Sequence, residues 1–160
     1  MRFLLVDRIL EWTPGQSIAT LKNVSMSEDF LEFHFPKYPV MPGVMLTEAL
    51  AQSAAWLEGA TSDFENWLLL ENVRKASFYG FALPGDQVRI QIDALPCETP
   101  GLKAFRGAGR VDDRKCVIAE FEMRIVPMAD LESPEEQRML FRVLTRELSR
   151  LSSKRSRPTS

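Results

Sequence analysis

Residues 43–59 read GVMLTEALAQSAAWLEG. The run holds no proline and is rich in Ala and Leu, which favours helix. Gly59 is a C-terminal stop signal, so the helix is expected to span Gly43 to Gly59. Its polar residues are few: Thr47, Glu48, Gln52, Ser53 and Glu58. A helix that is apolar on most sides is buried on most sides. Ala49, Ala51, Ala54 and Ala55 let other elements approach its backbone closely. Glu48 and Gln52 stand one turn apart and share a face. A Glu in such a helix is costly unless it is paired, hydrogen-bonded or used.

The flanking sequence reads mainly as strands. Upstream, Phe3–Trp12 and Ser17–Ser25 are β-favouring runs separated by Pro14-Gly15, which predicts a hairpin. Met26–Pro42 is irregular and punctuated by Pro36, Pro39 and Pro42. Downstream, Trp67–Tyr79 is a long strand with a polar centre, and Pro84-Gly85-Asp86 turns the chain. Asp86 is read as a turn residue. Val88, Ile90, Ile92 and Ala94 then alternate with polar neighbours, the pattern of a half-buried strand. Leu102–Val111 is another strand, followed by a turn at Asp112-Asp113-Arg114. Val117, Ala119, Phe121, Met123 and Ile125 alternate against Ile118, Glu120, Glu122 and Arg124. Short turns between consecutive strands imply an antiparallel sheet. With one buried helix, this predicts an α+β fold in which the sheet wraps the helix.

A second helix is expected after Ser133. Ser133 can cap it, Pro134 suits the first helical position, and Glu136 completes a capping box. Leu140, Val143, Leu144, Leu148 and Leu151 form its expected apolar stripe. Residues 1–129 are read as the main domain, 130–152 as its C-terminal helical extension and 153–160 as a disordered basic tail.

Composition excludes several classes. The 160 residues are 45% hydrophobic and 26% charged, with 20 basic against 22 acidic side chains and a net charge of -2. That balance gives no sign of a nucleic-acid or anionic-membrane partner. No apolar stretch is long enough to span a bilayer. Asp7 and Arg8 interrupt the apolar start, so no signal peptide is expected there, and a cytoplasmic location is expected. Cys97 and Cys116 have no metal-like spacing and are read as free thiols. With a single histidine, His34, a His-based metal site is not expected.

The stretch HFPKYPVMPGVMLTEALAQ, His34 to Gln52, holds the chemistry-bearing residues. It resembles the active-site motif of the 3-hydroxyacyl-acyl-carrier-protein dehydratases, hotdog-fold enzymes of fatty-acid synthesis. The matching pattern is His-Phe-Pro, then Pro-Val-Met-Pro-Gly-Val, then Glu-Ala-x-Ala-Gln. FLLVDRILE near the start, KNVS at Lys22–Ser25 and LPGDQV at Leu83–Val88 extend it over roughly residues 3–126. The resemblance implies a hotdog fold, an antiparallel sheet around a central helix, with an extra C-terminal helix beyond the family core. It implies a homodimer with shared active sites and an acyl-carrier protein bearing a 3-hydroxyacyl chain as partner. It implies neither metal nor organic cofactor.

The same resemblance implies three roles. His34 removes the α-proton of the thioester, Glu48 helps the 3-hydroxyl leave as water, and the Gly43 backbone N–H binds the thioester carbonyl oxygen. The residue types suit this chemistry. Proton removal beside a carbonyl puts charge on its oxygen, and a helix N-terminus stabilises an oxyanion. An imidazole serves as a neutral base near neutral pH. Gln52 lies one turn beyond Glu48, and two readings stay open for it: orienting Glu48 or a water, or a purely structural hydrogen bond. The chain departs from the family pattern at Phe33, where most relatives carry Gly before the histidine. The implied consequence is a loop that runs differently or a reshaped pocket mouth. Two alternatives stay open at this point: a hotdog acyl-thioesterase, and a silent acyl-binding or partner subunit. Arg142, Arg146 and Arg150, followed by Lys154, Arg155 and Arg157, are read first as a solvated face and tail. Their alternative role is docking an acidic carrier.

Overall fold

In a computed structural model of the chain, residues 3–32, 34 and 37–147 are described. Phe33, Leu148, Arg150, Leu151 and the basic tail therefore lie outside the described residues.

Among the described residues, six strands form one antiparallel sheet. They are β1 (Arg8–Thr13), β2 (Ser17–Asn23), β3 (Asn66–Phe78), β4 (Gln87–Leu95), β5 (Leu102–Val111) and β6 (Arg114–Pro127). Their order is β1-β2-β4-β5-β6-β3, with each neighbouring pair antiparallel. The long helix α1 (Gly43–Thr61) packs on the inner face against five of the six strands. A second helix, α2 (Pro134–Leu144), follows β6 and rests on α1 and β1.

The sheet closes around α1 because α1 is apolar on nearly every side. Ala49, Leu50 and Ala54 are wholly buried, and Leu46, Ala51, Ala55 and Leu57 nearly so. Small residues set the distance. A Cβ on Gly107 of β5 would stand 2.8 Å from Ile92 Cδ1 and 3.1 Å from Leu50 Cδ1. One polar pair is sealed into this interface: the Thr20 and Ser53 hydroxyls lie 2.8 Å apart, and Ser53 also donates to the Ala49 carbonyl.

Several boundaries differ from the sequence reading. The helix continues through Gly59 to Thr61. Gly59 is a point of close approach, since a Cβ there would meet Trp67 Cζ3 at 2.9 Å and Phe64 Cε1 at 3.0 Å. The helix ends instead where Asp63 and Phe64 adopt positive φ of 51° and 62°. That geometry costs about 1–2 kcal/mol per non-glycine residue. Burial of the Phe64 ring, T-shaped against Trp56 and Phe141, offsets it.

The expected first strand starts late. Phe3–Val6 leaves the sheet and lies on α1, where the Leu5 N–H donates to Gln52 Oε1 at 2.9 Å. Val88, Ile90 and Ile92 face inward as read, but Ala94 is exposed beyond the helix. On β6 the alternation breaks at Glu122, which is buried and bonded to Arg74 at 2.6 Å and Asn72 at 3.3 Å.

Ser133 caps α2 by accepting from the Glu136 N–H, with Pro134 in the first turn. The inward stripe is Gln137, Phe141 and Leu144, with Leu140 packed beside it. Val143, read as part of that stripe, is 52% exposed. The helix stops at Leu144, and Arg146 has a φ of 60°. Arg142 and Arg146 therefore do not continue one helical face.

Candidate active site

Pro42 is the residue before the first turn of α1, with φ -59° and ψ 143°. Gly43 is the first residue of the helix. The first N–H groups of any helix lack intrahelical acceptors and carry the positive end of its dipole. Gly43 and His34 line one cavity, together with Leu46, Phe78, Tyr79 and Phe81. The volume of this cavity is about 400 Å³. Phe78 closes over the helix start, and a Cβ on Gly43 would stand 2.8 Å from its ring. Glycine here is thus required by an aromatic ring of the same chain, a constraint the sequence did not reveal.

Glu48 lies elsewhere. It lines a second, larger cavity of about 540 Å³, on a different side of α1, with Met45, Gln52, Trp56, Trp67 and Leu70. Gln52 donates to Glu48 Oε1 at 3.1 Å and to the Phe3 carbonyl at 3.0 Å. Its own oxygen accepts from the Leu5 N–H. Gln52 therefore spans from the amino-terminal segment to Glu48 and fixes both. No buried side-chain nitrogen or oxygen among the described residues is left without a partner.

The four motif residues divide into two pairs. His34 and Gly43 share one cavity, and Glu48 and Gln52 share the other. The edge strand β3 borders both, through Trp67–Leu70 at its start and Phe78 at its end. Asp86 serves the turn. Its carboxylate accepts from the Leu83 N–H at 2.8 Å, and its carbonyl accepts from the Val24 N–H.

The FabA-like domain family model matches residues 1–121. The chain belongs to this family. Among curated relatives, it is 41% identical over 121 residues to the 3-hydroxyacyl-[acyl-carrier-protein] dehydratase FabZ of Polaromonas naphthalenivorans, covering 73% of this chain and 83% of that protein. It is 41% identical over 127 residues to the FabZ of Gluconobacter oxydans, covering 78% and 75%.

Solved structures bear out the family's hotdog fold. The dehydratase heterocomplex ApeI:P of Xenorhabdus doucetiae aligns at a TM-score of 0.55 and 18% identity, covering 71% of this chain and 92% of that one. The Streptococcus mutans protein smu.793, bound to acetyl CoA, aligns at 0.60 and 12%, covering 79% and 94%. The family match ends inside β6, so the short 3-10 turn Met128–Asp130 and helix α2 lie beyond it. No helix among the described residues is long and apolar enough to cross a membrane.

Proposed function

We infer that this protein is a 3-hydroxyacyl-[acyl-carrier-protein] dehydratase of fatty-acid biosynthesis, working in the cytoplasm as a homodimer with shared active sites. The observation that carries the reading is the sorting of the motif. Base and oxyanion donor line one cavity and the acid lines another, in a chain whose edge strand has an open side.

β3 supports the dimer. Among the described residues it pairs with β6 on one side only, and Glu71–Ala76 are exposed on both faces of the strand. Exposed edge strands invite pairing with another chain. Leu70, Val73, Phe78, Tyr79 and Phe81 add exposed apolar surface along it. An isologous dimer across β3 brings the His34 cavity of one protomer towards the Glu48 cavity of its partner.

The chemistry then follows from the groups present. The His34 imidazole takes the α-proton. The electron pair moves into the thioester carbonyl, and the Gly43 N–H holds the oxyanion that forms. The pair then returns to form the α,β double bond as the 3-hydroxyl leaves. Glu48 supplies the proton that turns the hydroxyl into water. Gln52 holds the Glu48 carboxyl in place.

An acidic carrier fits the surface beside the His34 cavity. Arg89 on β4 lies opposite Arg110 on β5, and Arg110 lies opposite Lys115 on β6. All are exposed. Like charges directly opposite across a sheet repel, so the row is stabilised by an anionic partner. Its end reaches the cavity: Lys115 Nζ stands 5.8 Å from the Tyr79 ring centroid, and Tyr79 lines the cavity with His34.

The test is direct. Given a 3-hydroxyacyl-carrier thioester, the protein is expected to form the enoyl product, read by absorbance, without free thiol. Thiol release would mark a thioesterase, and neither product would mark a silent subunit. His34→Ala and Glu48→Gln are each expected to lower kcat by about a hundredfold or more.

A further inference from the structure

We propose that the segment after β6 sets the acyl-chain selectivity of this site, with the hydrogen-bonded pair Glu132–Gln137 turning away long alkyl tails. This rests on the dehydratase reading and adds a determinant outside the family match, which ends at residue 121.

The cavity beside Glu48 has an uneven lining. Its α1 wall runs from Met45 past Glu48 to Trp56. From Glu48 to Trp56 the helix rises about 12 Å. The near part is apolar, with Met45, Leu68 and Leu70. At the far part Trp67 stands edge-on to Trp56, their centroids 5.1 Å apart and their planes at 88°. There the wall is completed by Leu131, Glu132 and Gln137, all from the C-terminal extension.

Gln137 is only 5% exposed, although it sits on the inward face of an amphipathic helix where an apolar residue is the usual choice. It donates to Glu132 Oε2 at 2.7 Å. An alkyl tail that stops short of this pair gains apolar burial with each methylene, about fourfold in affinity per group. A tail that reaches it covers a charged hydrogen-bonded pair and loses that gain. The extension therefore converts a cavity wall into a length gauge. Selectivity is expected to favour chains of intermediate length.

The experiment uses the whole protein and two readouts. Butyryl, octanoyl and hexadecanoyl chains are compared as 3-hydroxyacyl-carrier substrates through kcat/KM. The same lengths are compared as saturated acyl-pantetheine thioesters, which do not react, through quenching of tryptophan fluorescence. The wild type should prefer octanoyl over both others. Glu132→Leu with Gln137→Leu should raise the hexadecanoyl value by about tenfold and leave butyryl unchanged. Leu131→Trp, at a position already 44% exposed and so tolerant in folding, should depress octanoyl and hexadecanoyl together. Parallel length profiles in all three proteins would overturn the proposal. Absence of enoyl product would count against the dehydratase reading alone, because the binding series still reports the length gauge.

Discussion

Gln52 shows how a single side chain connects fold and chemistry. Its amide takes both the Leu5 N–H and the Phe3 carbonyl while donating to Glu48. Gln52→Ala should therefore loosen the amino-terminal segment and the Glu48 carboxyl at once. About 1–2 kcal/mol of stability loss is expected from the lost hydrogen bonds, measured by denaturant unfolding. If Glu48 acts as the proposed acid, kcat should fall further than KM rises, because the carboxyl loses its orientation rather than the substrate its binding surface. Gln52→Glu, which keeps the length but places two carboxyl groups together, should not rescue it. Helical spacing made the Glu48–Gln52 pair legible in the sequence. The tie to Phe3 and Leu5 was hidden, since nothing local says that residues 3–6 leave the sheet. The cysteines give a second prediction at this scale. Burial pushes the Cys116 thiol above its ordinary range, and the nearby Arg114 pulls the other way. Cys97 is only half-buried. A thiol reagent at neutral pH should label Cys97 in the native protein and Cys116 only after unfolding. The raised Cys116 value also fixes a pH trend. The folded state keeps its proton where the unfolded thiol ionises, above about pH 8.5. The stability contributed by this group is full below that pH and is lost as pH rises through the folded value.

At the scale of elements, α2 is more than an appendage. Phe141 is 8% exposed and its ring meets Trp12, Trp56 and Phe64 at centroid distances of 5.7, 6.2 and 5.6 Å. Phe141→Ala should cost about 3–5 kcal/mol and lower Tm, seen by thermal unfolding with one cooperative transition. An unchanged Tm would mean that α2 is not part of the folding unit. The capping signal Ser133-Pro134 located the start of α2 correctly because capping is local chemistry. Its inward face was misread, with Val143 counted as core and Phe141 overlooked, because an eleven-residue helix offers few turns to define a stripe. The end of α1 failed for a different reason. Gly59 looked like a terminator, yet its missing side chain serves Trp67 and Phe64, which arrive from later in the chain. Strands β4 and β5 were read nearly to the residue, because alternation and turn residues are both local.

For the whole molecule, the cationic row predicts a dependence on the carrier. Replacing Arg89, Arg110 and Lys115 together with Gln should raise KM for carrier-bound substrate about tenfold or more and leave a small pantetheine thioester unaffected. Added salt should imitate the substitution for the carrier alone. Equal effects on both substrates would show that the row does not dock the carrier. The sequence motif names His34, Gly43, Glu48 and Gln52 as candidates, but it could not show their division between two cavities, since that depends on which side of α1 each residue faces after folding. Under the proposed chemistry, the same division calls for a second chain. His34 and Glu48 line separate cavities, and among the described residues β3 pairs only with β6.

Complementation between inactive variants tests this central claim most directly. His34→Ala and Glu48→Gln proteins, each inactive alone, are unfolded together, refolded and assayed on a 3-hydroxyacyl-carrier thioester. If each site takes His34 from one protomer and Glu48 from its partner, every mixed dimer holds one intact site of two. Random pairing should then restore about a quarter of wild-type activity. A mixture as inactive as its components, with mixed dimers present, would contradict the shared site.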